Sequence, residues 1–468
     1  MVNDNPYILC ISNRYIQKLN YVFIILLLVA TFVAVAKGPE LIISIILGVL
    51  FLTVSLRSLQ TFFFFFLFYI VTFEEPGLSV YFPGIPIKYI TILAAMFFAV
   101  LILYWILGML FRNQRHYEMQ RIDTVILSFL LLVAFSGIHG LLRQYKLGNI
   151  LEDIVPLGYF FAYFIVSTTE LKKQYNKIFD FLLFCSFLIS LQFIYALAVY
   201  KGSLFLTRIV SQHIHMAQFA IPYIGAIFLY SENRKKNLLC LFALPFIIAG
   251  VIISQQRALW FSIFLTLLIF IFLILRKYRT IIVKNFHNLV VLIIVIVLLG
   301  ISLTTLIQRL SQGNIFLTVV TRASVFLSPQ FLLQDESAQI RTNELKDTIT
   351  ENTDNFLFGK GLGDIRITQW RHTFQLTVDN SFVFLLWKMG IIGLFLFLLI
   401  YFILFRRLHY LSRMPLNNDE RIVATTTFWN FIGMFIIALS NASLAHYRFI
   451  FVWTTMIALV EHIYRKYA

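Results

Sequence analysis

Long apolar runs separated by short polar breaks fill most of the chain. A helix needs about 20 mostly apolar residues to cross a bilayer. The runs at 20–36, 40–56, 60–73, 86–111, 122–142, 150–169, 178–200, 214–230, 238–254, 257–275, 288–307, 379–405, 422–440 and 446–463 meet or approach that length. They predict an all-α fold: a polytopic integral membrane helix bundle of about 12–14 transmembrane helices, forming a single membrane domain over 1–468. The run at 60–73 is short and that at 86–111 long, which tilt or partial re-entry accommodates. One interruption breaks the rhythm. Residues 308–378, between the last-but-three and last-but-two spans, carry seven Lys or Arg, seven Asp or Glu and a His. A connection of that length is functional or disordered, and its alternation of short apolar and polar pieces argues against disorder. It is expected to be an extracytoplasmic loop containing short helices.

Composition agrees with the pattern. The chain is 60% hydrophobic and only 13% charged, against about 25% charged for a soluble domain. The 51 Phe and 22 Tyr suit lipid-facing and interfacial positions. A net charge of +16 could suggest nucleic acid, but the cations are dispersed in clusters between apolar runs, as the positive-inside bias requires. With the N-terminus inside, about 22 of the 38 Lys and Arg fall on the cytoplasmic side, among them Arg121, Lys172, Lys173, Arg234, Arg406, Arg407, Arg413, Arg421, Arg465 and Lys466. Both termini are then cytoplasmic and the long loop outside. Cys10, Cys185 and Cys240 are too far apart to suggest a disulfide framework or metal site. The first apolar run, near Tyr21, lacks a small-residue cleavage site and reads as a retained span.

With this orientation Arg208, Gln256, Arg257, the whole loop, Asp379 and Arg448 lie on or near the outer face. Arg257 sits in Ser254-Gln255-Gln256-Arg257-Ala258-Leu259-Trp260, where two apolar runs meet with almost no loop. A charge there is costly unless it faces water, a partner or a bound anion. That heptad, opening a hydrophobic helix, resembles the signature of the O-antigen ligase and polymerase superfamily. A second block strengthens the resemblance: Arg341, then Phe358-Gly359-Lys360-Gly361-Leu362-Gly363, then Asp379-Asn380-Ser381, then Lys388-Met389-Gly390-Ile391-Ile392-Gly393. The resemblance covers about 254–394; before it the chain is similar only in being polytopic.

The resemblance implies glycosyl transfer at the outer face of a bacterial cytoplasmic membrane. The donor would be a glycan on a polyprenyl diphosphate and the acceptor a hydroxyl of another lipid-linked glycan, with a chain-length regulator protein as a further partner and no cofactor. Polymerisation of repeat units into a surface polysaccharide is the first expectation. Ligation of finished glycan to a lipid or protein acceptor is the second, and transport of lipid-linked oligosaccharide the third. Transporters often show internal repeats and mid-membrane charges, which the sequence does not display. The departing diphosphate calls for cations with a planar fork; Arg257 and Arg341 stand in the family's positions. The acceptor hydroxyl needs a base. The ligases place a His where this chain has Asp379, a residue type that serves outer-face peptidoglycan polymerases of similar fold. His372 is the competing base, and Asp379 could instead cap the following helix. Arg208, Gln256, Gly361, Asn380 and Arg448 are candidate substrate contacts.

Other features have plainer readings. The glycines at 359, 361 and 363 lack the strand and helix of a nucleotide-binding motif and suggest a tight turn. His213, His215 and Gln218 could line the outer cavity. Asp335-Glu336 belongs to no cluster that would make a metal centre. The run Phe62-Phe63-Phe64-Phe65-Phe66 reads as lipid-facing bulk, and Glu74-Glu75 has no assigned role.

Overall fold

The computed structural model describes residues 58–72, 87–111, 119–199, 212–254, 256, 258–266, 268, 336–367, 374–375, 378, 380–440 and 447–468. The expected spans at 20–36, 40–56 and 288–307, and Glu74-Glu75, lie outside them.

The described chain is a helical bundle. Its helices are α1 (Leu59–Thr72), α2 (Ile87–Phe111), α3 (Arg121–Leu142), α4 (Leu147–Gly158), α5 (Phe161–Thr168), α6 (Tyr175–Val199), α7 (Ala217–Tyr230), α8 (Arg234–Ser254), α9 (Glu336–Glu351), α10 (Ser381–Leu411), α11 (Asn418–Ser440) and α12 (Tyr447–Tyr467). Among the described residues six helical stretches are long and apolar enough to cross a membrane: α3, α4 with α5, α6, α8, α10 and α11. A further helical stretch covers 258–266. The protein is thus a polytopic helical membrane protein. The strands β1 (Arg366–Ile367) and β2 (Phe374–Gln375) form a small antiparallel ladder with Arg366 opposite Gln375.

Polar residues set the helix starts. The Asn380 side chain accepts from the backbone N–H of Phe382 and Val383 at 2.9 and 3.1 Å, capping α10. At α11 the Asn417 side chain accepts from Glu420 N at 2.8 Å while the Glu420 carboxylate accepts from Asn417 N at 3.4 Å. Each pairing satisfies donors that a helix start leaves open.

The bundle has two distinct ends. At the C-terminal end, Arg465 forks onto Asp123 at 2.7 and 3.0 Å, and Tyr163 donates to the same carboxylate. Arg407 pairs there with the buried Glu461, and Lys466 with Glu420 at 2.7 Å. Asp123 opens α3 and Glu420 opens α11, whereas Arg407 and Arg465 stand near the ends of α10 and α12. At the other end, called the loop end below, Asn380 at the start of α10 donates to the carbonyl of Leu439 near the end of α11, 3.0 Å away. Residues 352–364 of the long loop pack against α10.

The aromatic run departs from its expected role. Phe62, Phe63 and Phe66 are buried, and Phe66 packs against Phe98, Tyr159 and Phe451 with ring centres 5.7, 6.0 and 5.1 Å apart. Five consecutive residues span every side of a helix, so such a run cannot face lipid with all its rings. Aromatic edge and face contacts make the inward ones a packing seam.

Candidate functional site

The site grows from a break inside α10. Gly390 has φ 66° and ψ −167°, a backbone conformation essentially confined to glycine, set within a hydrophobic helix. Such a break frees helix carbonyls and N–H groups, and in a membrane protein these must find partners within the protein. The loop supplies them. Asn352 donates to Leu386 O at 2.6 Å, Lys360 N to Trp387 O at 2.8 Å, and Gly361 N to Lys388 O at 3.1 Å. In return Ile391 N donates to Phe356 O at 2.8 Å and Ile392 N to Leu357 O at 3.4 Å. The loop backbone therefore takes the place of the missing helical ladder.

The turn that makes these contacts carries Gly359, Gly361 and Gly363, with φ of 73°, 94° and 88°. It continues onto the other half of the chain. Leu362 N donates to Ser136 O at 3.1 Å, and Ser136 Oγ donates to Lys388 O at 2.9 Å, so α3, the turn and α10 share one backbone node. A side chain at Gly390 would collide with the Leu357 carbonyl and the Gly359 backbone. Gly390→Ala is accordingly expected to cost about 1–3 kcal/mol from backbone strain alone. The thermal transition of the purified protein in detergent should fall by several degrees; an unshifted transition would contradict the docking geometry.

A buried ion pair lies beneath the turn. Lys388 Nζ is 2.7 Å from Asp153 Oδ2, with side chains 0% and 2% exposed. The same carboxylate oxygen accepts from Gly363 N at 2.7 Å. Lys388 also donates to Asp364 O at 2.6 Å, and the Trp387 indole N–H donates to the Asp364 carboxylate at 2.8 Å. Above the turn, Tyr145 donates to Lys360 O at 3.3 Å. Burial pushes that phenol above its ordinary value, against a hydrogen bond from Arg143 that pulls it down, so it stays protonated and able to donate. Arg366 on β1 is buried, pairs with Glu351 at 3.0 Å and donates to Glu344 O at 3.3 Å, which pins the strand ladder to α9.

The residues expected from the sequence fall unevenly on this scaffold. Asp379, His372, Arg257 and Arg208 lie outside the described residues, whereas His213 belongs to the 3-10 turn Gln212–Met216 that leads into α7. Arg341 is part of α9 and Arg448 of the first turn of α12. Gln256 is buried between α8 and the 258–266 helix. Its N–H lies 3.4 Å from Ser254 Oγ, and the Trp260 indole closes the reversal by donating to Val251 O at 2.8 Å. Gly361 packs against Gly140 within the turn. His215 is buried edge-on to Phe449, one residue beyond Arg448, with ring centres 5.2 Å apart. Gln218 accepts from Ser262 at 3.0 Å and joins α7 to the 258–266 helix.

The N-cap of α10 is Asn380, so the capping role considered for Asp379 belongs to its neighbour. Asp153, Ser136 and Asn352 were not expected from the sequence. The available signal was an acidic residue inside an apolar run and a lysine inside another, opposite charges that a membrane interior tolerates best as a pair.

Residue 364 is held by Lys388 and Trp387, and residue 380 by the helix cap and Leu439; His372 and Asp379 lie between them in the sequence. Residues 238–398, from α8 through the loop to the middle of α10, match the family model described as O-antigen ligase. No curated protein matches the chain.

Proposed function

We propose, from the match of residues 238–398 to the O-antigen ligase family model, that the protein polymerises glycan repeat units carried on a polyprenyl diphosphate. An acceptor hydroxyl of one lipid-linked glycan attacks the anomeric carbon of another. The new glycosidic bond forms as the bond from that carbon to the diphosphate oxygen breaks. The hydroxyl proton passes to Asp379, and the lipid diphosphate leaves carrying the negative charge, which Arg257 and Arg341 neutralise through their guanidinium forks. Arg208, Gln256, Gly361, Asn380 and Arg448 are the further substrate contacts of this reading, with His372 as the alternative base.

The family match carries this reading, supported by the docking of the glycine turn on a buried ion pair. Asp379 in the position where the ligases have His favours polymerase over ligase. The test supplies purified protein in detergent with a polyprenyl-diphosphate repeat unit as both donor and acceptor. A ladder of products growing by whole repeat units is expected. Transfer only to an added lipid or protein acceptor would establish ligation instead.

The loop end faces outward in this reading, because the basic-residue asymmetry puts the C-terminal end in the cytoplasm. Single cysteines at Ser337 and Ser412, in a background without the three native cysteines, check the orientation. A membrane-impermeant thiol reagent applied to whole cells should label the first and spare the second; the reverse pattern would invert the topology.

A further inference from the structure

We propose that Lys388 and Asp153 are positioning residues: together they latch the glycine turn onto α4 and α10 and so fix Gly363 and Asp364, the point from which the loop continues toward β1. This rests on the transferase reading above, but its physical core is independent of it. Two opposite charges 235 residues apart in the chain, both almost fully buried, meet at 2.7 Å between α4 and α10. Burying an ion pair costs desolvation that a well-packed apolar pair would avoid. The further hydrogen bonds are therefore the informative part, and nearly all of them run to the loop. Asp153 receives the Gly363 N–H, Lys388 binds the Asp364 carbonyl, and the adjoining Trp387 indole binds the Asp364 carboxylate. Within a single turn the pair holds the two residues at which the loop leaves the bundle for the strand ladder.

The geometry separates holding from chemistry. The Lys388 ammonium is closed off beneath the turn, and its near neighbours are Asp153, the Asp364 carbonyl and the Trp387 ring, 4.2 Å away. It acts through the loop, whose Asp364 carbonyl it binds. An Asn at 153 could still accept from Gly363 N but would leave the ammonium without its counter-charge; a Gln at 388 could still donate to Asp364 O. The double variant Asp153→Asn/Lys388→Gln therefore keeps the shape and removes both charges, which avoids the unpaired buried charge that would jeopardise folding in either single variant.

The experiment uses the full-length protein in a cysteine-free background with one reporter, Leu362→Cys. Leu362 is fully buried in the turn, so thiol labelling in detergent reports release of the loop. Transfer kinetics are measured in parallel without the reporter substitution. For the double variant, labelling is expected to accelerate at least ten-fold. The kcat should fall at least ten-fold while KM for the lipid-linked donor stays within about two-fold, since the donor's own contacts are elsewhere. Unchanged labelling, or faster labelling with unchanged kcat, would overturn the latch. A parallel rise in KM with kcat preserved would also overturn it, because the pair would then be serving donor binding. If the parent protein transfers no glycan the functional reading falls, and the labelling rate alone decides whether the pair holds the loop.

Discussion

Asp379→Asn is expected to lower the kcat of glycan transfer by about 10²–10⁴-fold, the usual contribution of a positioned general base. The substitution is nearly isosteric and removes only the capacity to accept a proton. Helix α10 does not depend on it, because the Asn380 side chain receives the Phe382 and Val383 N–H groups. Loss of activity in this variant therefore cannot be assigned to a frayed helix start. Asp379→His should retain part of the activity, since imidazole accepts protons near neutral pH, and His372→Ala should be mild. Rates come from product ladders made by purified protein, with donor binding measured separately. Full activity in Asp379→Asn, or loss confined to His372→Ala, would transfer the base to His372.

Arg257→Lys and Arg341→Lys should each reduce turnover by about 10²–10³-fold, corresponding to about 2.7–4 kcal/mol of transition-state stabilisation. Lysine preserves the charge and much of the length, so the expected defect isolates the bidentate fork that matches phosphate oxygens. Two other cations among the described loop residues are already committed: Arg366 to Glu351 and Asp347, and Lys360 to Glu351. Their loss should weaken the loop without the selective collapse of kcat. Normal product amounts and lengths from both Arg→Lys variants, at normal protein levels, would remove these residues from the leaving-group site.

The helices were legible because membrane crossing is a local property of 20-residue windows. Where their limits differ from expectation, polar residues inside a helix are responsible. The run ending at 405 extends to Leu411 because Arg407 turns inward to Glu461 instead of marking an interface. The run beginning at 422 starts at Asn418 because a capping box on Asn417 and Glu420 belongs to the helix. The glycine turn was also legible, since only glycine tolerates its repeated positive φ. Its landing place was not. Asp153 and Lys388 each look like a local blemish in an apolar run, and nothing in the neighbourhood of either names the other. The burial of the Phe62–Phe66 run is a similar case, because a ring's surroundings depend on which helices arrive beside it.

The break at Gly390 has a consequence for biosynthesis. The turn that completes α10 also binds Ser136 and Asp153, and the bond from Gly363 to Asp153 joins residues 210 apart. The N-terminal helices emerge from the ribosome first and must already stand in the membrane as a docking surface. The loop follows, and then α10, whose own interior lacks hydrogen-bond partners until the turn docks. Closing so long a separation carries an entropic cost that grows only slowly with length, so early assembly of α3 and α4 is what makes the step feasible. Ribosome-stalled chains ending shortly after residue 411 should therefore be the first in which the turn becomes protease-resistant, and only when residues 121–158 are present in the same chain.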